Sequence, residues 1–315
     1  MKEDRQELIG TRDVYGQTLV ELGEIEDNIV VLDADLSSST KTSLFARRFS
    51  ERFFNMGISE QDMMGTAAGL AASGKVPFVS TFAIFATGRA WEQIRQSIAY
   101  PEFNVKVVAS HGGITVGEDG ASHQCIEDIG LMRIIPNMTV IIPADGIETR
   151  EMVGTIAKYN GPVYMRVSRI KFPVIFKDGY RFEIGRGTVV REGKDVTIIA
   201  VGLMVSQALR AARLLESEGI DAKVINMSTV KPIDKELIIT SAQETKAIVT
   251  AEEHSIIGGL GSAVAEVLVE NMPVPMRRVG IKDRFGTSGK AAELIDHFSL
   301  SAEDIVGAVK EVLDK

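Results

Sequence analysis

The sequence predicts an α/β protein of two doubly wound domains, each a parallel sheet covered by helices. Two observations predict this fold. Short apolar runs rich in Val and Ile alternate with helical patterns, and the runs are continuously apolar, as in strands buried on both faces. The chain of 315 residues, 45% hydrophobic and 25% charged, is also long enough for two domains that each bury a core.

The first domain is predicted to cover residues 1–170. Its apolar runs predict strands at residues 28–32, 53–56, 78–81, 105–110, 140–142 and 163–167. The helical patterns between them cover residues 14–22, 61–72, 90–99, 125–133 and 146–158. Strands that alternate with helices in this way are typical of a parallel sheet with crossover connections.

Residues 171–191 interrupt the alternation with one proline and three glycines, which indicates a linker with an extended segment. A second domain is expected over residues 192–315. Its predicted strands are 196–201, 223–227, 247–251 and 277–281, and its predicted helices are 205–218, 235–242, 260–270, 290–297 and 302–312. The last helix begins behind Ser301, with Glu303 and Asp304 in its first turn, where negative charge suits the helix dipole.

Composition excludes several classes of protein. A net charge of −8 argues against a nucleic-acid-binding protein. The one cysteine, Cys125, cannot form an internal disulfide and suits a reducing compartment. Residues 1–7 are charged and do not form a signal peptide, and no apolar run approaches the roughly 20 residues needed to cross a bilayer. We expect a cytoplasmic protein that binds neither nucleic acid nor a membrane.

One carboxylate, Glu60, lies at the junction between a predicted strand and a predicted helix. Two explanations are open. Ser59 could cap the helix through its hydroxyl, with Glu60 merely favoured by the helix dipole. Alternatively, Glu60 is a general acid in apolar surroundings.

The run Arg52-Phe53-Phe54-Asn55-Met56-Gly57-Ile58-Ser59-Glu60-Gln61 resembles the transketolase segment that carries the catalytic glutamate, and the similarity continues through residues 65–71 and 77–82. Transketolases depend on thiamine diphosphate. The resemblance implies that Glu60 is catalytic and hydrogen-bonds N1′ of the cofactor's aminopyrimidine. It also implies that the first domain is a pyrimidine-binding domain and the second a transketolase C-terminal domain.

The aromatic residues Phe82 and Phe85 resemble the family residues that enclose the pyrimidine ring. Taken alone, phenylalanines three residues apart are equally typical of a core at a strand–helix turn. The resemblance also assigns Asp35 to the cofactor. The sequence departs from the larger transketolases at Gly88, which stands in place of an aromatic residue, so the ring is less enclosed or a partner chain completes the pocket.

A polar loop at residues 117–124 places Glu118, Asp119 and His123 between or beside Gly117 and Gly120. A solvated loop is the alternative explanation. The run is close to a specific transketolase motif, and the resemblance implies that Asp119 and His123 bind hydroxyls of the donor ketose. His123 is also expected to be catalytic. The spacing between His111 and His123 matches no standard metal site.

Four further residues resemble contacts to the phosphate or to the acceptor substrate in the family: Arg12, Ser39, His111 and Arg169. Arginine suits phosphate because its planar fork donates two parallel charge-assisted hydrogen bonds. Taken alone, Arg12, Ser39 and Arg169 are more typical of ordinary surface positions. Glycines 112 and 113 replace more polar family residues beside His111, which leaves its phosphate contact open.

The sequence lacks the Gly-Asp-Gly motif with which thiamine enzymes hold the diphosphate and its metal. Residues 286–290 do not form a P-loop, and residues 259–264 match a dinucleotide fingerprint only weakly. In the family the region from residue 196 onward packs and assembles rather than catalyses, and residues 284–294 resemble its tail.

The resemblance covers only the second and third domains of a complete transketolase. Because Met1 starts just before the pyrimidine-binding domain, we expect a split enzyme. An N-terminal transketolase subunit would supply the diphosphate site and Mg²⁺ or Ca²⁺. The expected assembly is a heterotetramer, in which this chain forms a homodimer through both of its domains. The expected reaction is transfer of a two-carbon ketol unit between sugar phosphates, as in the pentose phosphate pathway.

Two alternatives remain open from the sequence. One is a related thiamine enzyme, either a deoxyxylulose-phosphate synthase or the β subunit of a 2-oxoacid dehydrogenase. The other is a non-catalytic paralogue that serves only in assembly, against which the retention of Glu60 argues.

Overall fold

A computed structural model describes residues 7–314 of the chain. Residues 1–6 lie outside the described residues, and with them most of the charged N-terminal stretch at residues 1–7. By their internal contacts the described residues form two compact units. The first comprises residues 7–112, Ile135–Thr139 and Asp145–Glu183, and the second comprises Gly113–Ile134, Val140–Ala144 and residues 184–314.

Strands and helices alternate along most of the chain. The strands are β1 (Leu8–Gly10), β2 (Ile29–Asp33), β3 (Phe53–Asn55), β4 (Val76–Ser80), β5 (Lys106–Ala109), β6 (Thr139–Ile141), β7 (Val163–Arg166), β8 (Lys171–Pro173), β9 (Thr188–Arg191), β10 (Val196–Ala200), β11 (Ala222–Asn226), β12 (Thr229–Lys231), β13 (Ile248–Ser255) and β14 (Met276–Ile281). The α-helices are α1 (Thr11–Ile25), α2 (Ser37–Thr40), α3 (Ser43–Arg48), α4 (Glu60–Ala72), α5 (Trp91–Gln93), α6 (Asp128–Arg133), α7 (Gly146–Lys158), α8 (Met204–Ser217), α9 (Lys235–Thr245), α10 (Leu260–Asn271), α11 (Ala291–His297) and α12 (Ala302–Leu313). None of the helices in residues 7–314 combines the length and the apolar character needed to span a bilayer.

The first unit is built on a parallel sheet with the strand order β7-β5-β4-β2-β3. Every residue of β2, β4, β5 and β7 is buried, which confirms the prediction of strands covered on both faces. A separate antiparallel pair joins β1 to β8, with Leu8 opposite Pro173.

The strand order of this sheet reverses next to β2. The chain passes from β2 to β3 on one side and then returns to β4 on the other side of β2. In open α/β sheets, ligands bind beyond the carboxyl ends of the strands at such a switch point. The loops that follow β2, β3 and β4 are therefore the first place to look for a site.

The second unit contains a five-stranded sheet with the order β14-β13-β10-β11-β9. Its first four strands are parallel, and β9 adds an antiparallel edge. Helix α12 begins behind Ser301, whose hydroxyl accepts a hydrogen bond from the backbone N–H of Asp304, as the capping pattern predicts. The predicted α/β class and doubly wound architecture are confirmed.

Three predicted segments differ in detail. The helix expected at residues 90–99 is the short helix α5 followed by a π-helical segment, Ile94–Ala99, and the helix expected at 125–133 begins only at Asp128. The predicted linker contains the strands β8 and β9. Apolar spacing does not distinguish α- from π-helical turns, and both strands pair with partners distant in sequence, which a local pattern does not reveal. The predicted domain boundaries stay a prediction, because the compact units group residues by contact and place residues 113–134 with the second unit.

Candidate active site

Most predicted site residues of the first unit lie just beyond the carboxyl ends of its parallel strands, in loops or at the starts of helices. Asp35 and Ser39 follow β2, Glu60 follows β3, Phe82 follows β4, His111 follows β5 and Arg169 follows β7. Parallel strands end at one edge of a sheet, so residues far apart in sequence collect there.

Glu60 is the first residue of α4 and follows a turn at Gly57, which has φ = 69°. Ser59 makes no side-chain capping hydrogen bond, so its hydroxyl does not explain the helix start. The Glu60 side chain is 1% exposed, and its Oε2 accepts a hydrogen bond of 2.7 Å from Nη1 of Arg89. A buried carboxylate requires such compensation, and Arg89 provides it.

Arg89 was not identified from the sequence. It ends the π-helical segment Phe85–Arg89, and its guanidinium carbon lies 4.6 Å from the centroid of the Phe85 ring. The side chain is 46% exposed. The available signal was a basic residue four positions after Phe85. π-Helical turns are also frequent at functional sites. Arg89 thus links the predicted acid to the predicted aromatic pocket.

The aromatic residues form a stack. The Phe82 and Phe85 ring centroids are 5.9 Å apart with an interplanar angle of 13°, and the Phe82 and His111 centroids are 3.8 Å apart with an angle of 21°. Phe82 is buried, whereas Phe85 is half-buried. Flat apolar faces of this kind suit a planar heteroaromatic ring.

Arg12 brings two other predicted residues together. Its Nη1 donates to the backbone carbonyl of Ser39 at 3.1 Å and lies 3.4 Å from Nε2 of His111. Because a guanidinium only donates, Nε2 of His111 acts as the acceptor in this contact, and its Nδ1 bonds to the Ser110 hydroxyl at 2.8 Å. Arg12 therefore joins the segment that carries Ser39 to the loop that carries His111.

The same cluster is positively charged. Burial lowers the pKa of Arg12; the negative charge of Asp13 opposes that shift, and the positive charge of Arg169 adds to it. The buried Nε of Arg12 has no hydrogen-bond partner among residues 7–314. Two arginines beside a histidine and an unused buried N–H donor form an arrangement that suits an anion such as a phosphate.

Two residues not predicted from the sequence shape the loops around this cluster. The fully buried Asp33 accepts hydrogen bonds from the Thr40 hydroxyl, the Thr42 hydroxyl and the Leu36 N–H at 2.6, 2.8 and 2.6 Å. Burial raises the pKa of Asp33, and these hydrogen bonds oppose the rise. Asp33 thereby holds the turn that carries Ser39.

Asn55 is the second such residue. Its amide nitrogen donates to Oδ1 of the exposed Asp35 at 3.0 Å, and its amide oxygen accepts from the Gly57 N–H at 3.1 Å. Through Asn55, Asp35 is linked to the turn that precedes Glu60. Asp35 itself has a left-handed backbone with φ = 62°. Its predicted contact with a cofactor stays a prediction.

Asp119 and His123 lie in the second unit, on a loop that Gly117 and Gly120 turn with φ = 89° and 72°. Asp119 is exposed, and His123 is half-buried with its Nδ1 2.9 Å from the Ser122 hydroxyl. The polar character predicted for this loop is therefore present at its tip. The first unit brings Arg12, Ser39 and His111 into contact, whereas these two residues are placed by a separate loop.

Two family models match the chain. "Transketolase, pyrimidine binding domain" matches residues 7–174, and "Transketolase, C-terminal domain" matches residues 185–305. Together they cover most of the chain, and their spans lie near the two predicted domains.

Relatives span the full length of the chain. A protein of Methanocaldococcus jannaschii, provisionally named a transketolase C-terminal section, is 53% identical over 309 residues, with 97% of both chains covered. The "6-deoxy-6-sulfo-D-fructose transketolase subunit SqwH" of Clostridium sp. strain MSTE9 is 45% identical, with 96% of this chain and 94% of the relative covered. A solved structure titled "Split gene transketolase, inactive beta4 tetramer" superposes with a TM-score of 0.91 at 57% identity and covers 97% of this chain and 99% of the other.

Proposed function

The chain belongs to the transketolase family, and we propose that it is the C-terminal subunit of a two-subunit transketolase. The enzyme transfers a two-carbon ketol unit from a ketose phosphate to an aldose phosphate. The observation that carries the proposal is the buried Glu60 carboxylate at a strand–helix junction, joined through Arg89 to the Phe85 ring.

The residues of the first unit fit the aminopyrimidine of thiamine diphosphate. Glu60 offers a buried carboxylate as hydrogen-bond partner for the ring nitrogen N1′, and Phe82 and Phe85 offer flat apolar faces. Asp35 is assigned to the cofactor by the family resemblance. Thiamine diphosphate, when bound, supplies the carbanion-stabilising chemistry that makes and breaks a carbon–carbon bond. The chain's own contribution is to orient the ring and, at Glu60, to donate and accept one proton.

The substrate class is a phosphorylated sugar. Arg12, Ser39, His111 and Arg169 bind its phosphate, which the positive charge of the cluster and the unused Arg12 N–H support. Asp119 and His123 bind hydroxyl groups of the donor ketose, and His123 exchanges protons with them. One relative is named for 6-deoxy-6-sulfo-D-fructose, so the identity of the sugar is left to assay.

The chain acts with a partner in this proposal. The sequence lacks the Gly-Asp-Gly motif for the diphosphate, and a solved relative of similar length is titled an inactive tetramer of β chains. An N-terminal transketolase subunit supplies the diphosphate contacts and Mg²⁺ or Ca²⁺. The working assembly is a heterotetramer built on a homodimer of this chain, and the pentose phosphate pathway in the cytoplasm is the proposed setting.

The test is calorimetric titration of thiamine diphosphate and Mg²⁺ into the chain alone and into its mixture with a diphosphate-binding N-terminal subunit from the same genome. We expect binding only in the mixture, followed by turnover of xylulose and ribose phosphates. Tight binding to the chain alone would refute the division of the cofactor site between two subunits.

The alternatives give different results in the same mixture. A deoxyxylulose-phosphate synthase or a 2-oxoacid dehydrogenase β subunit would turn over pyruvate or a related 2-oxoacid in place of a donor ketose. A non-catalytic paralogue would assemble with the partner and bind no cofactor. The transketolase names of the relatives favour the ketol transfer.

A further inference from the structure

Two segments of the second unit meet at the side chain of Gln124. We call residues 113–123, which carry Asp119 and His123, the substrate loop. We call residues 286–288 the tail segment. Gln124 directly follows the substrate loop and is 4% exposed.

The Gln124 amide group binds backbone carbonyls of both segments. Its Nε2 donates to the carbonyl oxygens of Ile114 at 3.1 Å and Gly117 at 3.2 Å, both in the substrate loop. The same Nε2 donates to the carbonyl oxygen of Thr287, in the tail segment, at 2.9 Å. Two amide hydrogens are thus shared among three carbonyls, which also fixes the orientation of the amide, since the reverse orientation would set its oxygen against three acceptors.

Glycines allow the two segments to approach this closely. A Cβ on Gly286 would lie 1.8 Å from Oε1 of Gln124, and a Cβ on Gly120 would lie 2.5 Å from the Ser288 hydroxyl oxygen. Oε1 of Gln124 is buried without a hydrogen-bond partner within the described part of the chain, and it lies on the side of the amide that faces Gly286. A side chain at either position would therefore displace the group that faces it, the Gln124 amide at Gly286 or the Ser288 hydroxyl at Gly120.

The start of the substrate loop is held by the sheet of the second unit. Glu253, on β13, is 6% exposed and accepts a hydrogen bond of 2.7 Å from the backbone N–H of Thr115. A Cβ on Gly113 would lie 2.2 Å from the Glu253 carboxylate. Both ends of the loop are therefore fixed, and Asp119 stays exposed at the tip.

We propose that Gln124 is a positioning residue that, together with the tail segment, sets the position of Asp119 and His123 for the donor ketose. The inference rests on the proposed function for the roles of those two residues. It gives the C-terminal family domain, expected only to pack and assemble, a part in substrate binding. Displacement of a binding group by about 1 Å can reduce a rate about 100-fold. The hydrogen bonds of Gln124 are therefore expected to affect turnover.

The test uses Gly286→Ala and Gln124→Ala in the complex with the N-terminal subunit. Gly286 has no positive φ, so alanine is compatible with its backbone, and its Cβ displaces the Gln124 amide. We expect either variant to raise the KM for the donor ketose roughly 10- to 100-fold. The KM for the acceptor and the Kd of thiamine diphosphate should stay within about twofold, since other residues bind them.

The double variant separates a direct contact from a general loss of stability. Once Gln124 is truncated, the Gly286 Cβ meets no amide, so Gly286→Ala should add nothing to Gln124→Ala. Gly307→Ala, in α12, is the matched control, because a Cβ there has no neighbour within 4 Å. It should leave the donor KM unchanged. An unchanged donor KM in Gly286→Ala, or additive effects in the double variant, would overturn the inference.

Hydrogen exchange in the chain alone gives a readout that does not depend on activity. Amides of residues 113–123 should exchange faster in Gln124→Ala and in Gly286→Ala than in the wild type or in Gly307→Ala. A wild-type complex without transketolase turnover would refute the proposed function. The exchange measurement would then test by itself whether Gln124 and the tail segment hold the substrate loop in place. Unaltered exchange in both variants would overturn the inference.

Discussion

Both units bury glutamates, and two of these, Glu60 and Glu252, accept hydrogen bonds from donors of different kinds. Glu60 of the first unit is 1% exposed and pairs with Arg89, a side chain that is itself 46% exposed. Glu252 of the second unit is fully buried and accepts hydrogen bonds from the backbone N–H groups of Leu260 and Gly261 at 2.7 and 2.8 Å. A side-chain partner can turn away and leave a carboxylate for a ligand, whereas backbone N–H groups stay in place.

The role of Glu252 is accordingly structural. Helix α10 has Gly259 at its N-cap, which has no side chain to cap the first turn, and the Glu252 carboxylate binds the N–H groups there instead. Its negative charge also suits the helix dipole. Burial of an acid therefore does not identify a catalytic residue by itself.

The same substitution at both glutamates tests this difference, and Glu60→Gln should have the largest effect. In the complex we expect turnover to fall about 10²- to 10⁴-fold, because an amide cannot exchange the proton. The free energy of unfolding should change by less than about 1 kcal/mol, since the amide oxygen still accepts from Arg89. Turnover within tenfold of the wild type would contradict the assignment of Glu60.

Glu252→Gln should show the reverse pattern. The amide can accept only one of the two N–H groups well, so we expect a loss of about 2 kcal/mol in the free energy of unfolding. Thermal unfolding measures this loss. Turnover of the folded complex below its melting temperature should stay at the wild-type level, and a selective loss of turnover without destabilisation would place Glu252 in the site.

Lys106 extends the comparison to a buried amine that is held by backbone carbonyls. Its Nζ donates to the carbonyl oxygens of Tyr159 and Gly161, both at 2.7 Å, and burial lowers its pKa from 10.5 to about 7. Between those values the unfolded chain binds a proton that the folded chain does not, so stability rises with pH, by up to roughly 1.4 kcal/mol per pH unit. Lys106→Met should remove this slope in denaturant unfolding between pH 7 and 10, and an unaltered slope would contradict the shift.

Arg89→Met should have a small effect on stability. It removes the partner of the buried Glu60, but the exposed half of the Arg89 site admits water, so we expect a loss of about 1 kcal/mol. In the Glu60→Gln background the same change should cost clearly less, since no charge is left unpaired. Equal losses in both backgrounds would show that the ion pair adds nothing and that Arg89 acts through its packing on Phe85.

The sequence by itself determined the alternation of strands and helices and the placement of Glu60 at a strand–helix junction. These features follow from apolar periodicity and chain order, which are local. The structure places Arg12 in contact with Ser39 and His111. That these residues bind a phosphate stays a prediction from the family resemblance.

Only the tertiary structure decided which groups complete these sites. Arg89 lies 29 residues from Glu60, and Gln124 lies 163 residues from Thr287, so no local pattern links either pair. The π-helical turn at Phe85–Arg89 was likewise invisible in the apolar spacing. The partner of a buried polar group depends on which strands and loops are neighbours in space. That neighbourhood exists only once the sheets have formed.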